Sequence, residues 1–313
     1  MPTLVWLYLT ALLYDRTSAA CTALAEALQT VSHDRLTRML QADWSGQTLL
    51  ELAVRTPFAC ERGYLILDDT VIPKPLATAM EGLAWVFSSQ DRKPVYGFSL
   101  VLLVWTDGTL RIPWGLRLWR KGGPSKYELA LELLSYARHR LRCRPEYVLF
   151  DACYPPRRLL KRIRAYGWDF ICRLKKNRRF NGQALRAHRC HPYWAETGWL
   201  TGGLKVLAVR YGAKYFATNR LTLPAAEVRR LYQMRSQIEE VLRVCKDRLG
   251  LTGCQARSGR AQLHHLTCCL VAFCGLERER HQRSLTIYKL KRQLSFRGSS
   301  VALPALERLK RAA

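Results

Sequence analysis

The sequence predicts an α/β fold, a mixed β-sheet flanked by helices, and three observations carry that expectation. Apolar residues recur at helical spacing toward both ends of the chain. Between them lie short apolar runs bounded by Gly, Pro and Asp, the pattern of buried strands. From residue 63 to residue 150 strand signals are followed by a helix signal and then another strand, which points to one mixed layer structure.

Residues 1–58 read as helices. Leu and Ala repeat at spacings of three and four through Ala23 to Leu28, and the pattern breaks at Val31-Ser32-His33-Asp34. Ser32 is placed to cap a following helix that carries Leu36, Met39 and Leu40. Two readings of this region stand side by side: a helix-turn-helix resting on DNA, and a helical bundle closing one end of the core. Strand character begins at Gly63, where Tyr64 to Leu67 ends in Asp68-Asp69-Thr70 with Pro73 and Pro75 beyond. A second strand over residues 97–106 reaches Asp107-Gly108, a hairpin turn, and a third over 110–118 completes a meander. Residues 126–141 form an amphipathic helix through Leu129, Leu133, Ala137 and Leu141. Tyr147 to Phe150 is then a buried strand stopping at Asp151. Three antiparallel strands, a helix, and a strand beside the first is the order of a ribonuclease-H-like core.

From residue 153 to residue 223 the texture becomes that of a β-rich insertion, with a helix at 159–166 and strands near 170–174, 205–210 and 215–218. Lys175, Lys176, Arg178, Arg179 and Arg186 are interleaved with Phe180, Trp194, Trp199, Tyr211 and Tyr215. That mixture suits contact with a phosphate backbone and stacking on bases; the same aromatics also suit the core of a small sheet. Pro224 opens a long helix, residues 263–276 form an apolar buried one, and 278–311 is basic, with Lys289, Lys291, Arg292 and Arg297 available to phosphates. The expected division is a helical region to residue 58 and a catalytic domain over 59–280, interrupted by the insertion; a basic tail follows from 281 to 313.

Charge narrows the partner. Lys and Arg outnumber Asp and Glu by 51 to 24, a formal net charge of +27, which implies a polyanion. With 49% hydrophobic residues and 9 Trp the chain builds a core, which argues against a disordered basic tail or a ribosomal protein. The 11 Cys include no C-x-x-C pair, so they read as free thiols of a reducing, cytoplasmic compartment. His264, His265 and Cys268 share a helical face but lack a second ligand pair, so core packing is expected there. The apolar run from Leu4 to Tyr14 resembles a signal sequence, yet no Lys or Arg precedes it and no membrane association is expected.

The chemistry lies on the long helix. Tyr232, Arg235, Glu239 and Lys246 are spaced Y-x2-R-x3-E-x6-K, which at ~100° per residue keeps all four within about 60° of arc. Leu231, Met234, Ile238, Val241, Leu242, Cys245 and Leu249 gather on another side and face the core. Two strands ending in Asp and a helix presenting Glu supply three carboxylates, Asp69, Asp151 and Glu239. Hard oxygens without His or Cys suit Mg²⁺ or Mn²⁺. Two such ions ~3.5–4 Å apart activate a water or a 3′-hydroxyl and stabilise the leaving oxygen of a phosphodiester.

Asp69-Thr70, Asp151 and the Tyr232, Arg235, Glu239, Lys246 stripe resemble the DDE transposases of bacterial insertion sequences, in particular the cut-and-paste group with the Y-R-E-K signature. Arg235-Ser236-Gln237-Ile238-Glu239-Glu240 is similar to that group's Arg-Trp-x-Ile-Glu-Glu, with Ser236 in place of Trp. The resemblance implies that Asp69, Asp151 and Glu239, rather than Asp68 or Glu240, are the catalytic metal ligands, holding two Mg²⁺ or Mn²⁺ ions. It implies that Tyr232, Arg235 and Lys246 contact DNA phosphates, and Arg243 of the same helix joins them. It also implies a homodimer on double-stranded transposon ends, acting in the bacterial cytoplasm. In some relatives an insertion-domain Trp assists a hairpin intermediate, for which Trp194 and Trp199 are candidates. Two further readings are another metal-dependent nuclease of this fold and a transposase-derived DNA-binding protein that no longer cuts.

Overall fold

The computed structural model describes residues 3–14, 19–55, 62–89, 91–154, 157–188, 191–297 and 311. Residues 298–310 and 312–313 of the expected basic tail lie outside the described residues, as does the side chain of Arg297.

The N-terminal helices are α1 (Thr3–Tyr14), α2 (Cys21–Leu28), α3 (His33–Gln41) and α4 (Gly46–Arg55). Ser32 caps α3, its hydroxyl accepting the Arg35 N–H at 3.4 Å, in the manner its position predicts. The sheet then opens with β1 (Tyr64–Pro73), β2 (Ala84–Ser88), β3 (Lys93–Thr106) and β4 (Arg111–Trp119). Helix α5 (Lys126–His139), strand β5 (Tyr147–Phe150), helix α6 (Arg157–Ala165) and strand β6 (Asp169–Leu174) follow. Antiparallel pairs β1–β3 and β3–β4 and parallel pairs β1–β5 and β5–β6 give the order β4-β3-β1-β5-β6. This is the mixed, helix-flanked sheet that the sequence predicts.

Strands β7 (Arg179–Phe180), β8 (Gln183–Ala184), β9 (Tyr193–Leu200), β10 (Leu204–Tyr211) and β11 (Lys214–Thr218) continue the same sheet. They join through β11, which pairs antiparallel with β6. Four strands are absent from the sequence reading: β7 and β8, which are only two residues long, and β2 and β9. In β2, buried Ala84, Val86 and Ser88 alternate with exposed Trp85 and Phe87, so apolar residues occupy both faces and hide the period. In β9 only Gly198 and Leu200 are buried, which leaves little apolar alternation to see.

The Asp68-Asp69 pair does not end β1. Pairing with β3 continues to Pro73 opposite Gly97, whereas pairing with β5 stops at Leu67 opposite Phe150. Side chains alternate across a strand, so neighbouring residues face opposite ways. Leu67, Leu103 and Gly115 form one cross-strand row, and a Cβ at Gly115 would stand 2.7 Å from Leu133 of α5. Odd-numbered residues of β1 therefore face α5, and even-numbered ones face the other side.

That other side is covered by α7 (Ala225–Tyr232), α8 (Ser236–Arg248) and α9 (Gly259–Arg283), with α10 (Ile287–Arg297) beyond. The continuous helix expected after Pro224 is divided by a 3₁₀ turn over Gln233–Arg235, braced by the Ser236 hydroxyl donating to the Gln233 carbonyl at 2.9 Å. A 3₁₀ turn advances by 3.0 residues per turn, so it resets the stripe between Tyr232 and Glu239. Helix α9 is the core of the helical layer, with α1, α3, α4, α8 and α10 packed around it. His264 bonds the Leu40 carbonyl at 2.8 Å; His265 bonds the Tyr8 hydroxyl at 2.8 Å and the Gly250 carbonyl at 3.0 Å. Burial lowers the His265 pKa to about 4, so the imidazole is neutral, and this cluster is packing. Lys291 is also structural: its Nζ donates to the carbonyls of Leu12 and Leu13 at 2.5 and 2.7 Å, satisfying the end of α1. It is 5% exposed and withdrawn from the phosphate contact expected of it.

Candidate active site

Leu67 and Phe150 are the last registered pair of β1 and β5, so Asp68 on β1 and Asp151 just past the end of β5 come next, and both carboxylates lie near one guanidinium. Arg235 reaches them from the 3₁₀ turn. Its Nη2 donates to Asp68 Oδ2 at 2.7 Å and lies 3.9 Å from Asp151 Oδ2, while Nη1 donates to Glu239 Oε1 at 2.8 Å. One guanidinium thus gathers three carboxylates from three distant segments. Burial raises the Asp68 pKa to about 6; Arg235 opposes that rise, and the charges of Asp69 and Asp151 add to it. Burial also works against the Arg235 charge, but Asp68, Tyr232, Asp151 and Glu239 overcome that and keep it protonated.

Asp69 is elsewhere. It faces α5, where Lys126 Nζ donates to it at 2.5 Å and the Tyr154 hydroxyl at 3.2 Å. The carboxylate that shares a face with Asp151 and Glu239 is its neighbour Asp68. Thr70, two residues on and on the Asp68 face, accepts Lys246 Nζ at 2.8 Å. Burial lowers the Lys246 pKa, with Asp247 and Asp91 acting against that shift. Tyr232 packs edge-on against Phe216 at 5.0 Å, and its buried hydroxyl has no hydrogen-bond partner. Burial raises its pKa well above that of a free phenol. Arg243 is paired with Glu240, whose carboxylate lies 4.0 Å from Arg111; Arg111 in turn binds buried Glu277 through its Nε and Nη2 at 2.8 and 3.0 Å.

The structure therefore brings Asp151, Glu239, Tyr232, Arg235 and Lys246 to one face of the central strands. It leaves Asp69 on the reverse face and Arg243 tied to Glu240. Trp194 and Trp199 sit on β9; Trp194 packs edge-on against Phe180 at 5.7 Å, and Trp199 is exposed. Arg173 is a residue that the motif misses. It pairs across the sheet with Phe216, beside Tyr232, and its buried Nε has no acceptor. The only trace of it in the sequence is a charge following the apolar run Phe170-Ile171-Cys172.

Among the described residues no three carboxylate, imidazole or thiol groups approach closely enough to share one ion. The positive charge at the carboxylates comes from Arg235. The donor set fits a hard divalent cation, because adjacent Asp68 and Asp151 offer oxygens in a place already built around a cation.

Comparison with known proteins bears on the family and the fold. The family described as "Transposase DDE domain" matches residues 60–274. Among solved structures, the piggyBac transposase synaptic complex with hairpin DNA superposes with a TM-score of 0.58 at 12% identity. That likeness covers 98% of this chain and 71% of the piggyBac chain, and it speaks for the fold. The Mos1 strand transfer complex and the Mos1 paired-end complex with left transposon end align at TM-scores of 0.22 and 0.20. Both are 19% identical over 52% of this chain and 56% of theirs, too loose a fit to carry an argument. No curated protein matches the sequence.

Proposed function

The chain belongs to the transposase DDE-domain family, and on that premise we propose that it cleaves and joins DNA phosphodiesters at the ends of a bacterial insertion sequence. The observation that carries this reading is the register of β1 and β5, which sets Asp68 beside Asp151 with Glu239 tied to the same guanidinium. In this reading the acidic triad is Asp68, Asp151 and Glu239, and Asp69 supports the strand from behind.

Two Mg²⁺ or Mn²⁺ ions held by these carboxylates would supply an activated water or 3′-hydroxyl and offset charge on the leaving oxygen. The chain's own residues do the rest. Arg235 holds Asp68 and Glu239 in place and offers a guanidinium to a phosphate entering the cleft. The unpaired Tyr232 hydroxyl is a donor waiting for an oxygen, and Lys246 fixes the strand at Thr70 within reach of the backbone. The Y-R-E-K assignment rests on these four side chains sharing one face. We place the DNA-reading element in the N-terminal helices or the basic segment from 281 to 313. The active form we propose is a dimer joining two transposon ends in the cytoplasm; no helix among the described residues is long and apolar enough to cross a membrane.

The test begins with the genomic DNA flanking the coding region. Short inverted repeats found there, built into labelled duplexes, should be cut at their ends in the presence of Mg²⁺. Asp68→Ala, Asp151→Ala and Glu239→Ala should each stop cutting while leaving duplex binding within about threefold, and each should weaken Mn²⁺ uptake in calorimetric titration. Wild-type protein that binds the repeats but never cuts them would instead identify a transposase-derived DNA-binding protein.

A further inference from the structure

Helix α6 carries five cations in nine residues, Arg157, Arg158, Lys161, Arg162 and Arg164, and no carboxylate. It packs beside α5, on the reverse face of the sheet from α7 and α8, and buries Leu159, Leu160 and Ile163 completely. At ~100° per residue Arg157, Lys161 and Arg164 fall within about 60° of arc and form one outward row. All five cations are exposed, and among the described residues none of them makes an ion pair. Elsewhere the cations near the sheet are answered: Arg235, Arg243, Arg111, Arg117 and Lys126 each meet a carboxylate. The acids that face α6 from α5 are already engaged, Glu128 in capping its own helix through Ser125 and Glu132 with Arg117. Arg157 is seated against Gly202, where a Cβ would stand 2.6 Å from its Cδ. Arg157 with Lys161 and Arg158 with Arg162 are like charges at i,i+4 spacing, each pair a cost to the helix that a bound polyanion would remove. Four of the five are Arg, whose planar fork matches phosphate oxygens. The apolar side of α6 is in the core, so the helix has nothing to insert into a lipid surface. The row also lacks the exposed aromatic or aliphatic anchor of a protein interface. At ~1.5 Å per residue it runs about 10 Å, the length of three phosphates of one DNA strand at ~3.4 Å each.

We propose that the row on α6 binds the phosphate backbone of a DNA duplex separate from the one in the cleft. Duplex DNA stays stiff over ~150 base pairs, so a single short duplex cannot enter the cleft and also turn round the sheet to reach α6. One chain therefore holds two duplexes, the second by backbone charge alone. The proposal rests on the DNA-cutting reading for the first duplex and adds the second.

The test loads protein onto immobilised inverted-repeat duplex and measures retention of a labelled random-sequence duplex. The variant combines Arg157→Gln, Lys161→Gln and Arg164→Gln. It should retain the second duplex at least about tenfold less well, with a salt slope shallower by about 2.7, three contacts at ~0.9 each. Cutting of the repeat ends by the same variant should stay within about twofold of wild type. In wild-type protein the random duplex should shield Lys161 from acetylation, read by mass spectrometry, which reports on the row even if the triple variant fails to fold. Unchanged retention and slope in a folded triple variant, or equal acetylation of Lys161 with and without duplex, would overturn the proposal while normal cutting leaves the DNA-cutting reading standing. Shielding of Lys161 in a protein that never cuts the repeats would support the row and remove the cutting reading. Phosphatidylserine vesicles that shield Lys161 where the duplex does not would overturn the duplex in favour of a lipid surface.

Discussion

Asp68 and Asp69 are neighbours on one strand, yet the two faces of β1 treat them as different groups. Asp69 meets a cation and a phenol and has its charge answered locally. Asp68 is 13% exposed, shares a single guanidinium with two other carboxylates, and has its pKa raised by burial to about 6. The first arrangement is that of a structural ion pair. The second crowds three carboxylates around one cation with a raised pKa, the pattern on which the proposed triad rests. The lesson is that a repeated acidic pair in a strand contains at most one member of a given site, and packing on the reverse face decides which.

The largest expected effect tests that division directly. Asp68→Ala should reduce cleavage of inverted-repeat DNA on the order of 10³-fold, the kinetic equivalent of several kcal/mol of lost metal-assisted stabilisation. Asp69→Ala should stay within about tenfold of wild type. A reversed order in single-turnover rates would exchange the roles of the two residues.

Next comes stability. A carboxyl whose pKa rises from ~3.9 unfolded to about 6 folded binds its proton more tightly in the native state. The stability this contributes is complete below the unfolded value and drains away as pH climbs through about 6. Asp68→Asn keeps the neutral form, so metal-free protein carrying it should exceed wild type by about 3 kcal/mol at pH 7. The advantage should vanish near pH 4; denaturant melts at the two pH values check it, and a constant difference would show that Asp68 is not the titrating group.

Smaller effects sharpen the contrast through the two lysines. Lys246, on the Asp68 face, is expected to contact a phosphate. Lys246→Ala should weaken binding to all duplexes and make the salt dependence shallower by about 1 in log–log slope. Lys126 answers Asp69 on the reverse face and is 31% exposed. Lys126→Ala should cost no more than about 1 kcal/mol in stability and leave the salt slope unchanged. If the two variants shift the slope equally, Lys126 and Lys246 do not differ in their use of DNA.

Much of this was legible from the residues alone. Helical period and strand punctuation marked the sheet order, and Asp151 and Glu239 stood out as a strand end and a stripe member. The choice between Asp68 and Asp69 was not legible, because it depends on the facing of β1, which is set by α5 lying close over Gly115. The break at Gln233–Arg235 contains neither Gly nor Pro, and its brace is a serine hydroxyl in the place where relatives are expected to carry Trp. Lys291 looked like a solvated cation because sequence shows charge but not which carbonyls lie within reach. The setting of Arg173 depends on contacts between segments far apart in the chain, which no local pattern records.

The lysine of α10 that closes the end of α1 has a consequence in time. Helix α1, an almost wholly apolar segment, packs against α9 and α10, which lie more than 200 residues later in the chain. At synthesis rates of ~5–20 residues per second, it waits on the order of tens of seconds for its partners. During that wait the nascent chain presents a greasy helix to chaperones, and the segment bearing Arg235 and Glu239 is also still to come. The helical layer and the cleft are thus completed together, late in translation, so a prematurely terminated chain has neither a closed core nor an assembled cleft.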